Sequence, residues 1–268
     1  MQRKLQLLTK LIAAAVVFVS CSVPSGKTHF ILAERLFSDR KYAASVEEYQ
    51  RVLQEDPRGV LAQQAIFKVA TIQHLYLEKY RESIASFRQF ILLSTNSDLI
   101  YQAETTIADI YFSKLEDFGQ SIEAYQRLIE KYPQSGELES FHLRMAKAYY
   151  GTYNFTKAIE VYNEHARKFP SSTRLPEVLY QKANTWFTKG DLEQAALTFR
   201  EVVNKFPTSN QAVFAEFGLA TTLEEQQNFQ GALELYEGLL KKYPSKEAVE
   251  SKIQRIRSKL SDKPRRSR

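Results

Sequence analysis

The stretch Asp191-Leu192-Glu193-Gln194-Ala195-Ala196-Leu197-Thr198-Phe199-Arg200-Glu201-Val202-Val203-Asn204-Lys205-Phe206-Pro207 decides the fold. A polar turn, Lys189-Gly190-Asp191, leads into it, and Pro207, which lacks an amide hydrogen, closes it. Inside, Ala195 stands four residues before Phe199 and Val203 four after, so a 3.6-residue turn lines all three up on one helical face. That face is expected to be buried. The small residue lets a neighbouring helix come close, and the aromatic ring fills the space above it.

The pattern is periodic, and a fixed period of 20 to 50 residues means stacked units. Aligning Tyr49, Phe87, Tyr125, Tyr162, Phe199 and Tyr236 gives steps of 38, 38, 37, 37 and 37 residues. Four residues before each ring stand Ser45, Ser83, Ser121, Ala158, Ala195 and Ala232; four after it stand Leu53, Ile91, Ile129, Ala166, Val203 and Leu240. Eight after it come Pro57, Thr95, Pro133, Pro170, Pro207 and Pro244. Seven before it, Tyr42, Tyr80, Phe118, Phe155, Leu192 and Phe229 are expected to pack at the start of each second helix. Thirteen before it, Leu36, His74, Phe112, Tyr149, Trp186 and Leu223 mark a first-helix core position.

This arrangement resembles the tetratricopeptide repeat, whose signature has a small residue, an aromatic and a closing proline at these offsets. The resemblance covers roughly Lys27 to Ser245. It implies an all-α fold, a right-handed superhelical solenoid of about six helix-turn-helix repeats over residues 28–245. The family's repeat is 34 residues long. The extra residues are read as longer first helices and longer links after each proline, as in Pro133-Gln134-Ser135-Gly136-Glu137. Val249, Ile253, Ile256 and Leu260 then recur at helical spacing, which predicts a capping helix over 246–261 that covers the last repeat's open end. Residues 262–268 form a basic tail with nothing apolar to bury.

Composition agrees with an all-α protein. Glycine and proline number only 9 and 8, so the turn density of a sandwich or barrel is missing. The net charge of +6 would suggest a nucleic-acid binder, but the positive charge sits at the two ends. Arg3, Lys4 and Lys10 lie in a leader, and from Ser251 onward eight lysines and arginines face Asp262 alone, so the middle of the chain is net acidic. Such a body does not track a phosphate backbone, and no nucleic-acid partner is expected.

The N-terminus combines Arg3-Lys4, an apolar run from Leu11 to Val19, and small residues at Ser20, Cys21 and Ser22, which is a secretory signal pattern over 1–20. About 20 apolar residues are needed to cross a bilayer, and Pro24-Ser25-Gly26 ends this run at roughly half that. Cys21, the single cysteine, excludes an intrachain disulfide. Phe18-Val19-Ser20-Cys21 resembles the lipobox of bacterial lipoproteins, with Phe18 where the family usually has leucine. The resemblance implies lipid on Cys21, a tether over 21–27, and an outer-membrane, periplasm-facing location.

No enzyme site emerges. Ser25-Gly26-Lys27-Thr28 ends like a phosphate-binding loop, but the leading glycine would fall at Cys21. His29, His74, His142 and His165 are scattered without metal-ligand spacing, and packing is the reading for His74 and His165. Glu47, Glu48, Glu123 and Glu160 are expected on solvated outer faces. Neither a metal nor a cofactor is expected.

The tetratricopeptide resemblance implies a concave groove lined by first helices. It places Phe37, Leu75, Ser113, Tyr150, Phe187 and Glu224 there, with Phe30, Lys68, Thr106, Leu143, Tyr180 and Phe217 beside them. The lipobox and links such as Tyr132-Pro133-Gln134-Ser135 further resemble two envelope families, the outer-membrane assembly lipoprotein BamD and the YbgF/CpoB group of the Tol-Pal system. The second group typically has a coiled coil before three repeats, and BamD has five repeats. Both resemblances imply a scaffold that docks envelope proteins and is held to the membrane by N-terminal lipid. The alternative is an accessory module presenting peptidoglycan or polysaccharide to an envelope synthase, with the basic tail touching anionic polymer.

Overall fold

A computed structural model describes residues 26–261. The leader with Cys21 and the tail 262–268 lie outside the described residues. Thirteen helices and no strand occur among the described residues. The helices are α1 (Gly26–Ser38), α2 (Tyr42–Glu55), α3 (Val60–Leu75), α4 (Tyr80–Leu93), α5 (Ser97–Ser113), α6 (Phe118–Lys131) and α7 (Leu138–Gly151). They continue with α8 (Phe155–Lys168), α9 (Leu175–Lys189), α10 (Leu192–Lys205), α11 (Asn210–Glu225), α12 (Phe229–Leu239) and α13 (Lys246–Ser261). Odd-numbered helices α1 to α11 are the first helices of six hairpins, and even-numbered ones the second. The chain forms two compact units, one up to Ala103 and one from Glu104, with the boundary inside α5.

Each second helix begins at the residue seven before its ring: Tyr42, Tyr80, Phe118, Phe155, Leu192 or Phe229. Five of the six end two residues before the closing position, at Glu55, Leu93, Lys131, Lys168 and Lys205. The residue before a proline is pushed out of helical geometry, which accounts for four of these ends. α4 stops at the same place although Thr95 replaces proline.

The small residues from Ser45 to Ala232 are all fully buried, and none of the six rings is more than 2% exposed. Opposite them runs a column that spacing from the ring alone did not single out: Ala33, Ala70, Ala108, Ala146, Ala183 and Ala220, also fully buried. Alanine facing alanine or serine brings two helix backbones together, and in two repeats the serine fastens them. Ser45 Oγ donates to the Ala33 carbonyl at 2.8 Å, and Ser83 Oγ to the Ala70 carbonyl at 2.7 Å.

Beyond the ring, burial differs from the expected i+4 stripe. Val52, Phe90, Leu128, His165, Val202 and Leu239, three residues on, are buried, whereas Leu53, Ile91, Ile129, Ala166, Val203 and Leu240 are half-buried. Positions i+3 and i+4 fall on either side of the ring's direction, and the i+3 side is the one covered.

The turns between paired helices are equally regular. Nine residues before each ring, Arg40, Glu78, Glu116, Tyr153, Gly190 and Gln227 all have positive φ, between 49° and 89°. Only Gly190 adopts that region without steric penalty. The following residue is the N-cap. The side chains of Asp117, Asn154, Asp191 and Asn228 accept an amide hydrogen from the first turn, while Lys41 and Lys79 occupy the same geometry without a cap bond.

Two substitutions test this turn. Lys79→Asp should stabilise the fold by about 1 kcal/mol by supplying the cap. Gly190→Ala should cost about 1 kcal/mol through backbone strain alone, because a Cβ there meets nothing within 4 Å. Urea melts of both variants measure the two changes.

The 38-residue steps also find their cause. The turns Tyr76–Lys79 and Lys114–Asp117 are longer than the other four, so the first helices α3 and α5 are displaced by one residue relative to their rings. Finally, α13 lays Val249, Ile253 and Ile256 against Tyr236 and Leu239 and closes the last hairpin.

Candidate functional site

The displaced first helices correct the proposed columns. Phe30 packs on Tyr49 at 5.4 Å between ring centroids, Tyr180 on Phe199 at 6.1 Å, and Phe217 on Tyr236 at 5.4 Å. In the second repeat the residue in this relation is Phe67, on Phe87 at 5.6 Å, rather than Lys68. Likewise Phe37 packs on Tyr42 and Tyr150 on Phe155, but the equivalents in repeats two and three are His74 on Tyr80 and Phe112 on Phe118, in place of Leu75 and Ser113. Thr106 gives way to Thr105 by the same one-residue shift. Two further residues are not open to a groove: Leu143 and Glu224 are both buried.

Within the first unit, Phe30 and Phe37 belong to the core cluster of α1 to α3, packed with Tyr49, Val52 and Val69. Glu34, one turn after Phe30 on the same stripe, accepts the Tyr49 hydroxyl and pairs with Lys68 at 3.1 Å. Burial opposes ionisation of Glu34, yet the Tyr49 bond and Lys68 hold its carboxyl below the ordinary range. Glu48, expected on a solvated face, is buried and bonded to His29 Nδ1 at 2.6 Å.

Within the second unit, the same ladder joins neighbouring hairpins. The Tyr125 hydroxyl donates to Asp109 Oδ1 at 2.6 Å, and Arg144 reaches the same oxygen from α7 at 2.6 Å. Lys147 pairs with Glu177 at 2.7 Å, tying α7 to α9, and Tyr150 and Thr188 hydroxyls meet at 3.1 Å. These links hold successive first helices in line. Burial, then the Asp109 bond, pushes the Tyr125 hydroxyl far above its usual range.

Between α9, α11 and the turn after α12 lies a cavity of about 190 Å³ lined by Tyr180, Asn184, Phe187, Phe214, Phe217 and Thr221, among others. Tyr180-Asn184-Phe187 and Phe217-Thr221-Glu224 are each spaced i, i+4, i+7, so each triplet lies on one face of its helix. Gly218 belongs to the lining for a steric reason: a Cβ there would meet the Phe199 ring at 2.6 Å. Tyr243 stacks on Phe217 at 4.5 Å and closes one wall. Beside Tyr243, Lys242 is paired with Glu216 of α11 at 2.6 Å. Apolar rings with an amide and a hydroxyl among them suit an apolar side chain carried on a polar backbone.

Geometry of this kind defines a helical-repeat fold, and comparison with known proteins specifies it. The family model of the tetratricopeptide repeat matches residues 103–135, 177–209 and 214–246. No curated protein matches the sequence. Many solved structures match, among them the following three. PilW, a widely conserved type IV pilus biogenesis factor, is 16% identical, with 86% of this chain and 97% of that one covered at a TM-score of 0.52. The C-terminal part of a TPR repeat-containing protein from Cytophaga hutchinsonii is 17% identical, over 79% and 78% of the chains, at 0.56. A structure of Naa15/Naa10 bound to HypK-THB matches at 15% identity over 87% of this chain and 39% of that one, at 0.59. The fold is an all-α tetratricopeptide-type repeat, an architecture suited to protein–protein interaction. Among the described residues no group of side chains is arranged to hold a metal ion, and no helix is long and apolar enough to cross a membrane.

Proposed function

We propose that the protein is a non-enzymatic scaffold, lipid-anchored through Cys21 on the periplasmic side of a bacterial outer membrane, that docks an extended segment of an envelope protein against α9 and α11. The observation that carries the docking role is the cavity of about 190 Å³ between those helices, whose aromatic walls include Asn184 and Thr221. Buried aromatic anchors with a few polar groups concentrate binding energy. Two of the structural neighbours are described as a type IV pilus biogenesis factor and as Naa15/Naa10 bound to HypK-THB, and both descriptions are compatible with a docking role. The anchor and location rest on the leader and the lipobox-like Phe18-Val19-Ser20-Cys21, and the choice of an assembly or Tol-Pal type machine rests on the BamD and YbgF/CpoB resemblance.

Affinity capture from crosslinked membranes tests the docking role. Phe214 is 38% exposed, so Phe214→Ala and Asn184→Ala should leave the melting temperature within a few degrees. They should nevertheless weaken partner recovery by about tenfold or more, as hot-spot truncation does. Recovery unchanged in both variants overturns the site. Mass spectrometry of the native N-terminus tests the anchor: a mature chain that does not start at acylated Cys21 rules it out.

A further inference from the structure

The cap helix brings three cations to one buried carboxylate. Glu224 is the last member of the α11 stripe that begins with Phe217 and Thr221 of the cavity. Its side chain is 2% exposed, and Lys252 Nζ lies 3.2 Å from it, Lys259 Nζ 3.7 Å, and the Arg255 guanidinium in direct contact. Lys252, Arg255 and Lys259 are spaced i, i+3, i+7 along α13 and so form one line beside α11. Their own side chains stay 24%, 50% and 47% exposed. Glu224 therefore fixes the three heads without shutting them off from solvent.

One carboxylate neutralises one cation, which leaves a surplus of two positive charges at a point. The nearby Glu237 is already engaged by Arg257 at 2.7 Å. Burial works against charging Glu224, but Lys252 and Arg255 outweigh it and hold the carboxyl below its ordinary range. The carboxylate stays ionised and the cluster stays assembled at neutral pH. The outward stripe of α13 carries Glu247, Ser251, Gln254, Ser258 and Ser261 instead, all exposed and none of them basic. Lys252, Arg255 and Lys259 are thus gathered on the α11 side of the helix, apart from Lys246 and Arg257, which pair with Glu250 and Glu237, and three heads around one carboxylate fit a single anion better than a planar charged surface.

We infer that Lys252, Arg255 and Lys259 form a receptor for a carboxylate of the docked segment, so that the partner carries an aspartate or glutamate close to the apolar side chain that enters the cavity. This rests on the docking role proposed above and adds the partner's chemistry. The spacing follows from the helix: Thr221 and Glu224 are about 4.5 Å apart along the axis, and an extended chain advances about 3.3 Å per residue. The acidic residue lies one or two positions from the apolar one.

Selection of a random decapeptide library on the immobilised full-length protein tests the inference. Enriched peptides should carry Asp or Glu within two residues of Phe, Tyr, Trp or Leu, and changing that acid to its amide should weaken binding about tenfold or more. In the double variant Arg255→Gln, Lys259→Gln, acid and amide peptides should bind alike, with the amide affinity and the melting temperature close to those of the parent. Lys252 stays in place in that variant to keep Glu224 paired. Enrichment of apolar peptides without an acid preference, or an acid preference that survives the double variant, overturns the receptor while leaving the docking cavity standing. Failure to enrich any peptide overturns both.

Discussion

Tyr125→Ala is expected to destabilise the protein by about 3 to 5 kcal/mol, the range for truncating a large buried aromatic. Tyr125 is fully buried, with Phe141 stacked on it at 6.1 Å and Phe112 edge-on at 6.2 Å, so the ring has no room to be replaced by solvent. Its hydroxyl is a smaller matter. Tyr125→Phe should cost about 1 kcal/mol, since Arg144 still occupies Asp109 at 2.6 Å when the hydroxyl is gone. Urea melts separate the two variants. Because repeat stability is roughly a sum of local and nearest-neighbour terms, hydrogen exchange should show the damage of Tyr125→Ala mainly in the adjoining helices of the second unit. A loss below about 1 kcal/mol for the alanine variant would mean that the ring column is not the core.

The second large effect is acid sensitivity centred on His142. Both His142 and His165 are buried, with their rings 6.0 and 5.1 Å from that of Phe169. Burial pushes His142 down to about 4, with Glu164 pulling upward and Lys168 and His165 adding to the fall. Burial also lowers His165. Between the unfolded value of about 6.5 and the folded value, the unfolded chain holds a proton that the folded chain refuses. Stability therefore falls as pH drops through that window, by about 3 kcal/mol for His142 over its full width. His142→Leu should remove that share of the pH dependence between 6.5 and 4 while other acid-sensitive groups keep theirs. Parallel stability curves for parent and variant across this range would show that His142 does not drive the effect.

Much of the fold is legible in the sequence, and particular residues show why. The start of each second helix at Tyr42 through Phe229 follows from an aromatic residue, or in one repeat Leu192, seven residues before a ring, and the ends at Glu55 or Lys205 follow from a proline two residues on. Both are local effects within a few turns of one helix. The positive-φ residues were not legible, because Arg40, Glu78, Glu116, Tyr153 and Gln227 are not types that favour that region. Packing of the flanking helices imposes it. The alanine column Ala33 to Ala220 recurs with the repeat and carries the different offset of repeats two and three.

The candidate site was legible only in part. Tyr180, Phe187 and Phe217 were singled out by repeat position, and the structure gathers all three around one cavity. Asn184 and Thr221 went unrecognised although they stand midway along the same stripes, since neither is apolar nor charged enough to mark a site. Lys68, Leu75, Thr106 and Ser113 were placed one residue off because counting back from a ring assumes turns of equal length. Glu224 has the repeat position of a groove residue, and α13 covers it.

The sequence by itself determined that this chain is an all-α set of six hairpins with a closing helix, where each second helix begins, where five of the six end, and which rings are core. Those properties depend on spacings of three to eight residues, which backbone geometry converts directly into a face and a boundary. The tertiary structure decided the register of the first helices, the pairing of Tyr125 with Asp109 and Arg144, and the burial of Glu224 beneath Lys252, Arg255 and Lys259. These depend on contacts between residues 16 to 35 positions apart. A single added turn residue rotates a helix by about 100°, so side chains on different helices meet only once every turn between them is set.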